Sequence, residues 1–214
     1  DTTPIVDLNT NLSSNVNIVT GDSHAICMYR PGWLVNSVPF KTLHGALNEG
    51  LQTFVYSRNF NNIELYFGNI DIRHHLLRQS DPENKTRHLV DRYISAATDL
   101  SNQYDATVTI LAPLPIENES RKIPKTGWYK GTPFTGSWSE RNAIRNEFIN
   151  HAKLITSKLK NVKFHDWTKY LINEAGELDF KYMEKPRSVH LSREFYPHWT
   201  GADINSPAKL EALI

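Results

Sequence analysis

The chain has 214 residues, with 24 Lys plus Arg against 23 Asp plus Glu and a formal net charge of +1. That length is enough to bury a proper core within one domain. The near balance of charge provides no field that would draw nucleic acid or an anionic membrane by bulk electrostatics. No apolar run reaches the ~20 residues of a membrane-spanning helix. Asp1 to Asn15 lack the basic-then-apolar order of a secretory leader. Cys27 is the single cysteine, so an internal disulfide and a cysteine-rich zinc site are both excluded. The expectation is a protein of the cell interior. It holds although Asn11-Leu12-Ser13, Asn84-Lys85-Thr86 and Asn118-Glu119-Ser120 fit the glycosylation acceptor triplet.

In chain order, Val16 to Thr20 is an apolar, β-branched run and reads as a buried strand. Gly21-Asp22-Ser23-His24-Ala25 ends it and leads into a short helix reaching Met28. Pro31-Gly32 marks a turn, and Trp33 to Phe40 reads as a second strand closed by Pro39. Leu43, Leu47, Leu51, Phe54 and Val55 recur at helical spacing behind Thr42, a residue type suited to the N-cap. A third strand, Ile63 to Phe67, runs into Gly68-Asn69-Ile70-Asp71. Asp81-Pro82-Glu83 then opens a helix with an inner stripe of Leu89, Tyr93, Ile94, Ala97 and Leu100. Ala106 to Pro113 is the clearest strand. Ser139 is the expected cap of the next helix, with Ile144, Phe148, Ala152, Ile155 and Leu159 inward, and Val162 to Asp166 is the last strand.

This alternation predicts right-handed crossovers and a mainly parallel five-stranded sheet between helical layers. The expected fold is a three-layer α/β/α sandwich of flavodoxin-like type, in a single domain over residues 1–214. Residues 114–138 interrupt it as a long loop with Trp128, Tyr129, Phe134 and Trp138 among glycines and Lys125 and Lys130. Loops longer than about 12–15 residues in a compact domain are usually functional. Trp128 and Tyr129 are therefore candidate walls of a substrate site, or else a small satellite core. Arg141 and Arg145 in the following helix read as a solvated face.

Open parallel sheets place their chemistry at the carboxyl ends of the strands. Two motifs fall there, the Ser23 turn and Gly68 to His75, and Ser188-Val189-His190-Leu191 lies beyond the last strand. Ser23 is a candidate nucleophile, which would need a base in reach and donors for the oxyanion. Taken alone, Gly-Asp-Ser is also an ordinary strand-to-helix turn in which Asp22 or Ser23 caps the helix.

These blocks, in this order, resemble the SGNH (GDSL-like) hydrolase superfamily. The resemblance implies a Ser23 nucleophile, a His190 base, no cofactor, and an ester or acyl substrate; Gly68-Asn69-Ile70-Asp71-Ile72-Arg73 looks like a variant branch with Gly-x-Ile-Asp-x-Arg in place of Gly-x-Asn-Asp, which suggests carbohydrate-linked esters. It implies an oxyanion hole formed by the backbone N–H of Ser23 and of a second-block glycine, for which Gly45 is the candidate. Two departures stand out. Ile70 occupies the place of the asparagine in the family's Gly-x-Asn-Asp block, so Arg73 is assigned to oxyanion or substrate-anion binding, with an Asp71–Arg73 ion pair as the structural alternative. Arg187 occupies the place of the triad acid, leaving a backbone carbonyl, Asp71 or Glu194 to orient His190. Asp22, His24 and Gly68 complete the expected site. Two rivals remain: a metallophosphoesterase using Asp22 and His24 as metal ligands, and a catalytically degenerate SGNH-like binding domain.

Overall fold

The computed structural model describes residues 17–56, 59–127, 129–131 and 135–199. Five strands, β1 (Asn17–Gly21), β2 (Leu34–Ser37), β3 (Asn62–Tyr66), β4 (Thr107–Leu111) and β5 (Val162–His165), form one sheet in the order β2-β1-β3-β4-β5. Every pairing is parallel. Alternation along the strands assigns the faces: Ile18, Ile63 and Val108 belong to one apolar core, and Val19, Val35 and Tyr66 to the other.

The first core is covered by α1 (Leu43–Glu49), α2 (Pro82–Tyr104) and α3 (Trp138–Thr156), through side chains such as Leu43, Tyr93 and Phe148. The second is covered by a 3-10 helix, Ser23–Met28, and by the segment after β5, which contributes Trp167, Leu171, Met183 and Leu191. The expected three layers are present. One outer layer, however, is built from short turns, because the chain beyond β5 has no long stripe of helical periodicity. No described helix is long and apolar enough to cross a membrane.

Several boundaries differ from expectation for local reasons. β2 stops at Ser37 because Phe40 turns the backbone into the left-handed region at φ 62°. Thr42 caps α1 by accepting the Gly45 N–H at 2.9 Å, but Gly50 at φ 91° ends the helix, and Leu51–Phe54 continue as a separate turn. Ser137, not Ser139, caps α3, in a reciprocal capping box with Glu140. The helix ends at Thr156, so Leu159 lies beyond it and is exposed. Arg141 and Arg145, expected on a solvated face, are buried.

Successive connections leave β1 and β3 in opposite directions across the sheet, which makes the crevice at their carboxyl ends the switch point of the fold. The backbones come very close there. A Cβ on Gly21 would lie 2.0 Å from the Tyr66 carbonyl oxygen, which instead accepts the Asp22 N–H at 3.0 Å. Glycine is required at this point.

Candidate active site

The loop leaving β1 and the loop leaving β3 meet at this crevice, and the segment after β5 crosses it. Asp22 is fully buried and caps the 3-10 helix, its carboxylate accepting the His24 N–H at 2.9 Å. Ser23 is the first residue of that helix, with its hydroxyl 3.1 Å from His190 Nε2, across 167 residues of sequence. Cap and nucleophile were alternative readings of one pentapeptide; Asp22 is the cap, which leaves the Ser23 hydroxyl free to meet His190. The His24 ring stacks on that of His190, with centroids 4.7 Å apart and planes at 15°.

Burial lowers the pKa of both rings, His24 well below the ordinary histidine value, and so favours the neutral form of His190. His190 is fixed by its backbone: its N–H donates to Ser188 Oγ at 3.1 Å and its carbonyl accepts the Glu184 N–H at 2.9 Å. Among the described residues no carboxylate is hydrogen-bonded to its ring. After burial, Glu184 is the next influence on this imidazole, raising its pKa by charge through space. Glu194, one of the expected orienting acids, is exposed in the turn Arg193–Phe195.

Asp71, the other expected acid, does different work. Its two oxygens accept the Leu43 and His44 N–H groups at 2.7 and 3.1 Å, satisfying the start of α1. Gly45 is likewise corrected. Its N–H is bound to Thr42 Oγ1 within α1, and the β2–α1 loop instead brings Phe40 to the cleft. Gly68, at φ 107°, makes the turn out of β3 under the Phe148 ring and does not line the cleft.

Arg73 does line it, with its guanidinium already engaged. Nε donates to Glu117 at 2.8 Å, Nη2 to the Pro115 carbonyl at 3.0 Å, and Nη1 lies 3.4 Å from Asn69 Oδ1. The expected Asp71–Arg73 ion pair is replaced by Arg73–Glu117, and the loop after β4 is pinned to the loop after β3.

Asn69 was missed in the sequence. Its Nδ2 donates to Asp22 Oδ2 at 3.1 Å and its Oδ1 accepts the Leu114 N–H at 2.9 Å, on the cleft wall with Ser23. An amide nitrogen carries two hydrogens, so one is left for a ligand. An asparagine was sought at position 70; Asn69 stands one residue earlier, in the helical turn that leads into the π-helical Asp71–His75. Glu117 and Arg121 were also missed, although their i, i+4 spacing within a loop was a signal. Phe40 had no such signal, because nothing in a phenylalanine announces a left-handed backbone.

The cleft encloses about 150 Å³ and is bordered by Ser23, Asn69, Arg73, Arg121, Tyr129 and His190, among others. Tyr129 stacks on His74 at 4.0 Å and its hydroxyl is 2.7 Å from His75 Nε2, folding the long loop over the site. Trp128 lies outside the described residues. The Asp22 carboxylate and the His24 ring are engaged as cap and stacking partner, and among the described residues no three His, Cys, Asp or Glu side chains gather as a metal-ligand set.

No protein-family profile and no curated protein sequence matches the chain. Solved structures do. A protein from Streptococcus pneumonia named for platelet activating factor superposes with TM-score 0.62 at 16% identity, covering 95% of this chain and 85% of the other. A protein of the lipolytic G-D-S-L family from Desulfitobacterium hafniense DCB-2 gives 0.56 at 14%, covering 86% and 94%. The fold is that of the SGNH (GDSL-like) hydrolases. A carbohydrate acetylesterase from Sinorhizobium meliloti shares it with TM-score 0.50 at 16% identity, covering 92% and 100%. In the SGNH-like frame of this chain, the meeting of Ser23 with His190 occurs at the switch-point crevice.

Proposed function

We propose that the protein is a serine-dependent hydrolase or acyltransferase of short acyl esters, including carbohydrate-linked ones. The observation that carries this reading is the Ser23 Oγ to His190 Nε2 distance of 3.1 Å at the carboxyl edge of the sheet. His190 takes the hydroxyl proton as Oγ attacks the acyl carbon. The Ser23 N–H and the second Asn69 amide hydrogen face the developing oxyanion. Collapse expels the alcohol, which receives the proton from His190 and leaves an acyl-Ser23 ester. Water or a second hydroxyl then attacks this ester, with His190 again as base.

The small cleft favours an acetyl-sized acyl group, well below the ~300–1,000 Å³ of sites for drug-sized ligands. The acetylesterase among the structures of like fold is in keeping with that choice. The ring of His190 is held by stacking and by its backbone rather than by a bonded acid, and loss of such an acid lowers kcat by about 10⁴ in the serine protease triad. Slow turnover is therefore expected.

The test is hydrolysis of p-nitrophenyl acetate by the wild-type protein and by Ser23→Ala. Turnover should disappear in the variant while its circular dichroism is unchanged, and a fluorophosphonate should label Ser23 alone. Undiminished hydrolysis by Ser23→Ala would exclude the serine mechanism.

A further inference from the structure

Phe40 stands where a phenylalanine strains the backbone and gains little packing. The Lys41 N–H reaches back to the Val38 carbonyl at 3.3 Å, closing a four-residue turn around Pro39 and Phe40. Proline holds the first corner of such a turn at negative φ, so the φ of 62° at Phe40 gives the pattern of a type II turn. Glycine takes that second corner without steric conflict, whereas a Cβ there crowds its own backbone. Burial of the side chain would compensate, and it is missing. Of the large apolar side chains left exposed among the described residues, Phe40 is the barest at 77%, and it is the one of them that borders the cleft of Ser23 and His190.

The turn is anchored on both sides. Before it, the Val38 N–H donates to the Gly21 carbonyl at 2.9 Å and the Ser37 hydroxyl to the Asp22 carbonyl at 3.0 Å, which ties it to the two residues preceding Ser23. After it, Thr42 caps α1 and the Leu43 N–H donates to Asp71. These anchors hold Phe40 in a conformation that its own side chain disfavours, at a fixed position relative to the serine. Strain maintained by its surroundings, with no packing gained from it, points to function.

The cleft has room for an acetyl-sized group, so the alcohol half of the ester lies at its rim. Resting on the serine-ester reading, we propose that this alcohol half carries a ring with an apolar face, aryl or pyranose, which packs on the Phe40 ring. An exposed aromatic face offers such a ring a broad contact, and the anchored turn leaves little conformational freedom to lose on binding. The short cleft selects the acyl group, and Phe40 selects the alcohol.

The experiment follows acetate release from benzyl acetate, methyl 6-O-acetylglucopyranoside and ethyl acetate, all acetyl esters of primary alcohols. The wild-type kcat/KM should be about tenfold higher for at least one ring ester than for ethyl acetate, the scale of one aromatic contact with its buried area. The two ring esters separate an aryl from a sugar source. Phe40→Ala should bring the ring-to-ethyl ratio to about one, mainly through KM, because the contact is present in ground state and transition state alike. Phe40→Trp should keep the preference. Phe40→Gly should lose it and yet melt no lower than the wild type, because glycine relieves the turn. A wild-type ratio near one, or a ratio unchanged in Phe40→Ala, overturns the proposal. So does a melting temperature of Phe40→Gly lower by more than about 4 °C, which would give the side chain a packing role.

Isotope labelling of the phenylalanine rings in Ser23→Ala, read by NMR, separates this inference from the serine mechanism. The Phe40 signal is the one that the added Phe40→Trp substitution removes. Movement of that signal with benzyl acetate or the acetylated glucoside, and not with ethyl acetate, supports the inference even if no ester is turned over. A signal that neither ring ester moves, or that ethyl acetate moves equally, overturns it even if Ser23 proves to be the nucleophile.

Discussion

Asp22 places a carboxyl group where water cannot reach it, between the His24 N–H and the Asn69 amide. Burial pushes its pKa up to about 7 from the usual carboxylate value, against the two hydrogen bonds and Arg73, which favour the anion. The sign of the consequence follows from proton binding. Between the unfolded value near 3.8 and the folded value near 7, the folded state holds more protons than the unfolded one. Stability therefore falls as pH rises through that window, and the full cost, on the order of 4 kcal/mol, is reached above pH 7. Asp22→Asn has no such titration. The difference in urea-unfolding free energy, variant minus wild type, should rise from pH 4.5 to pH 7.5; parallel curves would show that Asp22 stays ionised throughout. At this scale the pentapeptide was legible as a helix cap at the crevice, yet the surroundings of the His190 ring were not. The search for an acid there pointed to Asp71, whose carboxylate satisfies the start of α1, because nothing in a linear chain distinguishes two buried aspartates on facing loops.

Elements explain which features could be foreseen. The five strands and the two long helices, α2 and α3, follow from apolar periodicity, which survives in the sequence because it repeats. Their ends depend on single backbone events, such as the left-handed Phe40 and Gly50, and these shifted several boundaries. The connection between β4 and α3 was legible only as a loop. Its organising centre is Glu117, which ties Arg73 of the β3 loop, Arg121 of its own loop and Arg141 of α3 into one knot. Arg141 looked like a solvated residue because its partner is 24 residues away in a segment without periodicity. Removing the charge of this acid takes from three neighbouring guanidiniums the carboxylate that all of them meet. Glu117→Gln should cost about 3–5 kcal/mol, the usual consequence of breaking a buried ion pair from one side. Equilibrium denaturation measures this, and a loss under about 1 kcal/mol would mean that water reaches the cluster.

At the scale of the whole molecule, the sheet order decides where chemistry is possible. With β1 and β3 adjacent and their connections diverging, the Ser23 and Asn69 loops share a single crevice, and the His190 segment closes it from the face opposite the long helices. This arrangement depends on how closely the two central strands approach at their ends. Gly21 is the point of closest approach, where an added Cβ would sit 2.0 Å from the Tyr66 carbonyl oxygen and 2.8 Å from its Cβ. The obstacle is backbone in mid-sheet, which no rotamer change relieves, so Gly21→Ala must pry β1 from β3. It should destabilise the fold by at least about 3 kcal/mol, the upper range for overpacked cores. In whatever fraction stays folded it should also weaken turnover, because Ser23 and Asn69 lie just beyond the ends of the two strands being separated. Gly45→Ala is the matched control. Its Cβ would meet Thr42 Oγ1 at 3.0 Å and Lys41 Cδ at 3.9 Å, at the start of α1 and outside the cleft. Alanine there gains about 1 kcal/mol of helix propensity, offset by that contact. Its activity on p-nitrophenyl acetate should stay within twofold of wild type, whereas a Gly45 N–H serving the oxyanion would make the same substitution cost far more as the helix shifts. Thermal melts and kcat/KM for the two variants side by side decide between the glycine that holds the crevice together and the one that merely turns within a helix.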